Sequence, residues 1–269
     1  MAMDRVTITG ADDSIEPAYL LELSAEFPWV EWGILISESR TGSPRFPSAG
    51  WRSRLQSLCA KTGVMLSAHL CGFWVRQLLL GVNLLPPSTL DRYQRVQLNF
   101  HAENTKCNPA KFAATLEAIQ TRREWIFQID GNGGNCHLEN LGGESDIIDA
   151  VALFDISGGA GILPREWPAP QYLHIDPGPH GEGVESYRYH GYAGGLGPDN
   201  LAEQIPLIAK ASKGCRFWID METRVRSEDD RQFDLAKVRR CLEIAAPFIL
   251  GSNHDGRHPR KSGRLGCGL

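Results

Sequence analysis

Short runs rich in β-branched and aromatic residues alternate with helix-like apolar patterns along most of this 269-residue chain. Eight such runs are present, and most are followed by a helical pattern. Strands that alternate with helices indicate a parallel sheet. Eight units in about 250 residues fit a closed barrel better than an open, doubly wound sheet, which is the alternative. The sequence therefore predicts an α/β fold, a closed (β/α)8 TIM barrel.

The predicted strands are the apolar runs at 5–11, 30–37, 64–70, 95–101, 124–130, 150–156, 189–195 and 215–221. The predicted helices are the periodic segments at 16–27, 51–63, 73–81, 109–122, 198–212 and 233–249. No clear helix follows the sixth strand, where a long loop insertion covers 162–188. We expect one barrel domain over 1–250 and a flexible tail, rich in Gly, Arg and His, over 251–269.

Composition excludes several classes of protein. The formal net charge is -4, and the chain lacks the basic face that a nucleic-acid-binding protein presents. No apolar run reaches the roughly 18 residues of a membrane span, and the first ten residues lack the apolar core of a secretory signal. The seven cysteines are scattered and never spaced C-x-x-C. We expect a cytoplasmic protein with reduced thiols, no cofactor and no metal, and the sequence makes no prediction of oligomeric state.

Two glycine pairs lie at the carboxyl ends of predicted strands. Gly158–Gly159 follows the sixth strand in "ALFDISGGAG", and Gly194–Gly195 follows the seventh in "YAGGLGPDNL". The chemistry of a (β/α)8 barrel sits at these strand ends, and backbone N–H groups at a helix start can bind an anion. The second pair predicts half of a phosphate site. A tight turn capped by Asp199 or Asn200 is the equally weighted alternative.

Five segments in order resemble phosphoribosylanthranilate isomerase, the Amadori isomerase of tryptophan biosynthesis. They are "VTITG", "TGSPRFPS", "VQLNFHAE", "LFDISGGAG" and "YAGGLGPDNL". Each motif alone is weak, but together they span all eight strands. The resemblance implies a barrel that isomerises a small sugar phosphate, with a general acid on the ring oxygen and a general base at C2.

The resemblance also assigns site residues. The family's acid corresponds to Asp155, and the family's base, a cysteine, corresponds to Thr9, whose hydroxyl cannot take a proton at neutral pH without a partner base. The arginine that holds the substrate carboxylate corresponds to Arg45, with Arg40 nearby as the alternative. The remaining substrate-binding positions are Gln97, Gly158, Gly159, Gly194 and Gly195. Replacements for the missing base are carboxylates or a histidine at strand ends: Asp12, His69, Asp130, Asp220 and Glu222.

The eighth strand departs from the family. Asp220 is kept, but Glu222 and Arg224 stand where the family has the small residues that complete its phosphate site. An acidic side chain repels phosphate at close range, whereas Arg224 or Arg226 is suited to replace the lost amides as a clamp. Asp220 and Glu222 are two residues apart on a strand, so they share a face. The spacing of His174, Asp176 and His180 does not match a metal-binding pattern.

Three functions follow from these observations. The first is aldose–ketose isomerisation of a small, phosphorylated substrate with Asp155 as acid. The second is a different reaction, by a lyase or hydrolase that uses Asp155, Asp220 and Glu222. The third is a non-catalytic barrel that binds a small anion, because the base cysteine is absent. In each case the partner is a small molecule, with no nucleic acid or membrane.

Overall fold

Eight parallel strands close into a barrel in a computed structural model of the chain. The structure describes residues 2–86, 88–100, 107–119, 123–129, 150–155, 160–170, 172–175, 184–187 and 189–251. The barrel strands are β1 (Met3–Thr9), β2 (Val30–Ile36), β3 (Met65–Cys71), β4 (Arg95–Asn99), β5 (Glu124–Ile129), β6 (Ala150–Asp155), β9 (His190–Ala193) and β10 (Phe217–Met221). Around the barrel their order is β1, β10, β9, β6, β5, β4, β3, β2 and back to β1. The predicted closed barrel is therefore confirmed.

Six α-helices are described between or after the strands. They are α1 (Ala18–Glu26), α2 (Ala49–Cys59), α3 (Phe73–Leu79), α4 (Pro109–Ala118), α5 (Leu201–Ala211) and α6 (Leu235–Ala245). Side chains cap the first turn of several of these helices. Ser48 accepts a hydrogen bond from the backbone N–H of Trp51 at the start of α2, and Asp234 accepts two at the start of α6. Such caps satisfy the unpaired N–H groups of a first helical turn.

The insertion after β6 contains two strands that the sequence analysis did not predict. β7 (Tyr172–Ile175) and β8 (Val184–Tyr187) pair antiparallel in a sheet of their own, outside the barrel. Each has only four residues, and the apolar pattern is too short to distinguish a strand from a loop. The expected tail falls almost entirely on 252–269, which lie outside the described residues. Within the described part of the chain, no helix is long and apolar enough to cross a membrane.

The barrel interior is unusually polar on one side. Arg95 donates to Glu31 across β3, which shows that both side chains point inward. Thr7, Ser67 and His69 are buried on the same half. The opposite half is apolar, with a cluster formed by Ile126, Leu153, Ala193 and Trp218. TIM-barrel interiors are commonly filled by branched apolar residues, so the polar half marks where this chain departs from a purely structural core.

Charged groups fill the amino-terminal end of this polar half. Glu31 is fully buried, accepts a hydrogen bond from Thr7 and forms ion pairs with Arg5 and Arg95. Burial alone would raise the pKa of Glu31, but the charges of Arg95 and Arg5 hold it below its ordinary value. The guanidinium of Arg95 also lies 4.0 Å from the ring centroid of Trp218. Compensated charges therefore occupy the base of the barrel.

Candidate active site

A cavity of about 230 Å³ opens at the carboxyl ends of the barrel strands. Its polar and charged lining comprises Arg40, Arg45, Gln97, Asn99, Gln128, Asp155, Asp220, Glu222, Thr223, Arg224 and Asp230. Gly194 and Gly195 also line it. The strand ends thus bring together eight of the eleven residues that the sequence analysis assigned to the site. Gly158 and Gly159 lie outside the described residues, and Thr9 is buried behind the cavity wall.

Asp155 is the last residue of β6 and is 5% exposed. Gln128 of the neighbouring strand β5 donates a 2.7 Å hydrogen bond to its Oδ2. This hydrogen bond fixes the carboxyl group at the cavity wall. Gln128 was not predicted as a site residue, although it lies two residues after Ile126 and therefore shares the inward face of β5.

Asp220 lies on β10, with β9 between it and Asp155. In the strand register Ala193 pairs with Asp155 on one side and with Asp220 on the other. With neighbouring strands about 4.8 Å apart, the two carboxyl-bearing residues stand roughly 10 Å apart at the backbone. Ala193 is too small to fill the space between them, and it lines the cavity. Both carboxyl groups consequently border one cavity.

Burial raises the pKa of Asp220 well above its ordinary value, and the nearby charges of Glu222, Glu31 and Asp155 act in the same direction. A hydrogen bond from Thr9, whose Oγ1 lies 2.8 Å from Oδ1 of Asp220, opposes this rise. Asp220 is therefore a carboxyl group that retains its proton above the usual pH range for aspartic acid. Such a group suits general acid catalysis near neutral pH.

His69, a candidate base, lies beneath Asp220 in the barrel interior and is 1% exposed. Its Nδ1 is 4.0 Å from Oδ2 of Asp220, too far for a hydrogen bond. Burial lowers the pKa of His69 to about 3, and Arg95 contributes to this decrease against the opposing charge of Glu31. The imidazole is therefore neutral at physiological pH. It does not line the cavity, so direct contact with a substrate is not supported.

Arg45 lies at the cavity, but carboxylates of this chain engage its guanidinium. Its Nη1 donates to Glu222 at 2.7 Å, and its Nε donates to Asp230 at 2.6 Å. The predicted carboxylate-binding arginine is thus already neutralised by two acids. Arg40, the alternative, lies 4.3 Å from the centroid of the Phe46 ring and forms no ion pair with any described residue.

Arg226 does not serve as a clamp at the cavity, because it is buried behind the mouth. It donates to the backbone oxygen of Gly10, to the carboxylate of Asp12 at 2.8 Å and to Asp230 at 2.6 Å. Asp12, another candidate base, is therefore paired with Arg226 and does not line the cavity. Burial acts to raise the pKa of Asp12, but hydrogen bonds from Ser14 and the Arg45 backbone lower it overall. The sequence did not reveal this network, and Asp130 lies outside the described residues.

The Gly194–Gly195 turn is held by Asn200, which accepts a hydrogen bond from the N–H of Gly197 and donates to the oxygen of Gly195. Gly195 has a φ of +63°, and a Cβ there would lie 2.5 Å from the backbone nitrogen of Leu163. A Cβ on Gly197 would lie 2.5 Å from Cβ of Arg224. The turn therefore needs glycine for close packing against the insertion and Arg224, whether or not it also binds an anion.

A row of hydrogen bonds fixes Gln97, which lines the cavity. Gln97 donates to Oδ1 of Asn99 at 2.8 Å, and Asn99 donates to the sulfur of Cys71 at 3.3 Å. Burial raises the pKa of the Cys71 thiol to about 12, so the group stays protonated and is a poor nucleophile. Asn99 and Cys71 are cavity residues that the motif comparison did not identify. No group of three His, Cys, Asp or Glu residues in the described ranges is arranged to hold a metal ion.

Comparisons with known proteins identify no family for this chain. No family model matches the chain, and no curated protein matches it. A solved structure of a GH113 beta-1,4-mannanase is similar with a TM-score of 0.37 and 9% identity, over 91% of this chain and 99% of that one. A complex structure of a GH113 beta-1,4-mannanase gives a TM-score of 0.37 and 8% identity, over 90% and 98%. Similarity at this level carries no information about the reaction.

Proposed function

We propose that this barrel is an enzyme that transfers protons with the carboxyl groups of Asp155 and Asp220, and that its reaction is an aldose–ketose isomerisation of a small sugar derivative. The observation that carries the proposal is the placement of the two carboxyls on either side of Ala193 at one cavity. The cavity volume of about 230 Å³ is small for a ligand pocket, which favours a small substrate.

The two carboxyl groups have different environments, as an acid and a base require. Asp220 has a raised pKa and is suited to donate a proton. Asp155 accepts a hydrogen bond from the Gln128 amide and is suited to receive one. This assignment exchanges the roles that the family resemblance implies, in which Asp155 is the acid. The exchange also supplies a base without requiring one at Thr9.

In this reaction Asp220 gives its proton to the ring oxygen as the C1–O bond breaks. Asp155 removes the proton from C2, and the resulting enol forms a ketone when C1 receives that proton. The enol hydroxyl releases its proton as the C2 carbonyl forms, and this proton restores the acid form of Asp220. The substrate keeps its atoms and its oxidation balance, so the carboxyl pair suffices without an added oxidant or reductant.

The turn after β9 is the part of the cavity best suited to bind a phosphate group of the substrate. Arg224 packs over Gly197, is exposed, and forms no ion pair with the described residues. Its guanidinium is suited to bind an anion beside Gly194 and Gly195. Arg45 is less suited because Glu222 and Asp230 already hold it.

A second candidate is a lyase or hydrolase acting on a substrate without phosphate. Glu222 favours it, because this third carboxylate lines the cavity where the resembling family has small residues. Its pairing with Arg45 anchors that carboxylate at the rim. The two candidates share Asp155 and Asp220 and differ in what happens to the substrate.

The test uses phosphoribosylanthranilate and its dephosphorylated analogue with the wild type, Asp155→Asn and Asp220→Asn. Loss of substrate fluorescence follows turnover, and mass spectrometry separates isomerisation, which leaves the mass unchanged, from hydrolysis or cleavage. We expect isomerisation by the wild type and a loss of at least about 100-fold in each variant. Asp229→Asn, at an exposed carboxyl outside the cavity, is the control. Full activity in both cavity variants would refute the proposal.

A further inference from the structure

Thr9 contacts the proposed acid without reaching the cavity. It lies on β1 and is 1% exposed, and its Oγ1 is 2.8 Å from Oδ1 of Asp220 on the adjacent strand β10. Asp220 lines the cavity, whereas Thr9 does not. Oδ2 of Asp220 forms no hydrogen bond with any residue in the described ranges. Oδ1 is therefore held by a hydrogen bond on the side away from the cavity, whereas Oδ2 has no such hydrogen bond.

Gly33 on β2 provides the room for this contact. A Cβ at position 33 would lie 2.1 Å from Oγ1 of Thr9 and 2.8 Å from Cε1 of His69. Any larger residue would push the hydroxyl or the imidazole out of place. The bare position lets the Thr9 hydroxyl and the His69 ring stand side by side beneath Asp220.

A threonine is well suited to hold a carboxyl group in one orientation. Its β-branched side chain has few χ1 rotamers, and its hydroxyl can adapt to either protonation state of its partner. Because Asp220 is buried, removing the hydroxyl leaves a carboxyl oxygen without its hydrogen bond, which is costly. The geometry therefore links Asp220 to a residue that does not line the cavity.

We propose that Thr9 is a positioning residue that fixes Oδ1 of Asp220 and leaves Oδ2 to exchange the proton with the substrate. This inference rests on the proposed function only in naming Asp220 as the acid. It assigns position 9 a role other than that of a base. The hydroxyl donates to the carboxylate form more strongly than to the neutral acid, so its loss makes Asp220 harder to ionise.

The test compares Thr9→Val, which removes the hydroxyl at constant shape, with Thr9→Ser, which keeps it. The carbon-13 carboxyl resonance of Asp220, titrated without substrate, reports its protonation directly. We expect the Asp220 titration to move up by about one pH unit in Thr9→Val and to stay near the wild type in Thr9→Ser. The alkaline limb of the kcat profile, where Asp220 loses its proton, should move with it, while KM changes little.

Thr7→Val is the matched control, because Thr7 donates a 2.8 Å hydrogen bond of the same type to Glu31, one layer away from the cavity. It should leave the Asp220 titration in place. Gly33→Ala is an independent variant that displaces the Thr9 hydroxyl without deleting it, and we expect the same upward movement.

An unchanged Asp220 titration in Thr9→Val and Gly33→Ala would overturn the inference, as would an equal movement in Thr7→Val. Failure of the proposed function is a separate result. Asp220→Asn would then keep its activity, while the titration still reports whether Thr9 controls Asp220.

Discussion

The guanidinium of Arg226 donates a 2.8 Å hydrogen bond to the carboxylate of Asp12, and both side chains are buried. Arg226 follows β10 and Asp12 follows β1, the two strands that join the end of the barrel to its beginning. The pair therefore links the segments that follow the first and last strands of the barrel, directly behind the wall of the cavity.

We predict that Arg226→Met lowers the free energy of unfolding by about 3–5 kcal/mol, because Asp12 is left as a buried charge without its partner. Urea unfolding followed by circular dichroism measures the change. Arg231→Met is the control, since Arg231 lies in the same loop with an 80% exposed side chain and should differ from the wild type by less than about 0.5 kcal/mol. Equal stability of the two variants would contradict this role of the pair.

Asp220→Asn should make the protein more stable at pH 7. The raised pKa of Asp220 means that its stabilising contribution is complete below the ordinary pKa of aspartic acid and is lost as the pH rises through the folded-state value. Asparagine does not ionise, so the variant avoids this loss and can still accept the Thr9 hydrogen bond. We expect a gain on the order of 1 kcal/mol at pH 7 that disappears near pH 4.

Urea unfolding at both pH values measures the gain. Asp229→Asn, at an exposed carboxyl in the loop after β10, controls for the general effect of removing a negative charge. A pH-independent effect of Asp220→Asn would show that the carboxyl is ionised in the folded protein and would remove the basis for its role as an acid.

Much of the fold could be predicted from local pattern. The alternation of apolar runs and helical periods gave all eight barrel strands, because each unit has to bury a sheet face and a helix stripe. The same pattern put Asp155 and Asp220 at strand ends, where the structure has them at one cavity. The hairpin of β7 and β8 was missed because its strands are too short to show a period.

The contacts within the site could not be predicted in the same way. Thr9 and Asp220 are 211 residues apart, and Arg226 and Asp12 are 214 apart, so only barrel closure brings them together. Which partner neutralises Arg45 depends likewise on how the loops after β2 and β10 meet. The family resemblance implied a ligand for Arg45 because a local motif does not include Glu222 and Asp230, which compete for its guanidinium.

His69 should make stability depend on pH between about 6.5 and 5. Its folded-state pKa of about 3 is below the ordinary histidine value, so its stabilising contribution is present above the ordinary value and decreases as the pH falls toward the folded-state value. Up to about 2 kcal/mol is lost between pH 6.5 and pH 5. His69→Gln, which cannot titrate, should lose correspondingly less in urea unfolding over this range. Parallel pH curves for variant and wild type would show that His69 is not held neutral by the fold.

A comparison of Gly195→Ala with Gly214→Ala separates two physical reasons why a position requires glycine. One is a positive φ, and the other is the lack of space for a Cβ. Both positions have positive φ, +63° and +82°, but a Cβ at Gly214 meets nothing within 4 Å, whereas one at Gly195 would lie 2.5 Å from the nitrogen of Leu163. We expect Gly214→Ala to lower the free energy of unfolding by about 1–2 kcal/mol, the cost of the left-handed backbone alone.

Gly195→Ala should cost more, because the insertion backbone at Leu163 cannot move as a flexible side chain would. The displacement also reaches Gly161, which lines the cavity, so turnover should fall in this variant and be unchanged in Gly214→Ala. Unfolding in urea and kcat/KM with the substrate of the wild type measure the two effects. Equal costs at both positions would mean that the turn after β9 does not support the insertion, and that Gly195 is required only for its backbone conformation.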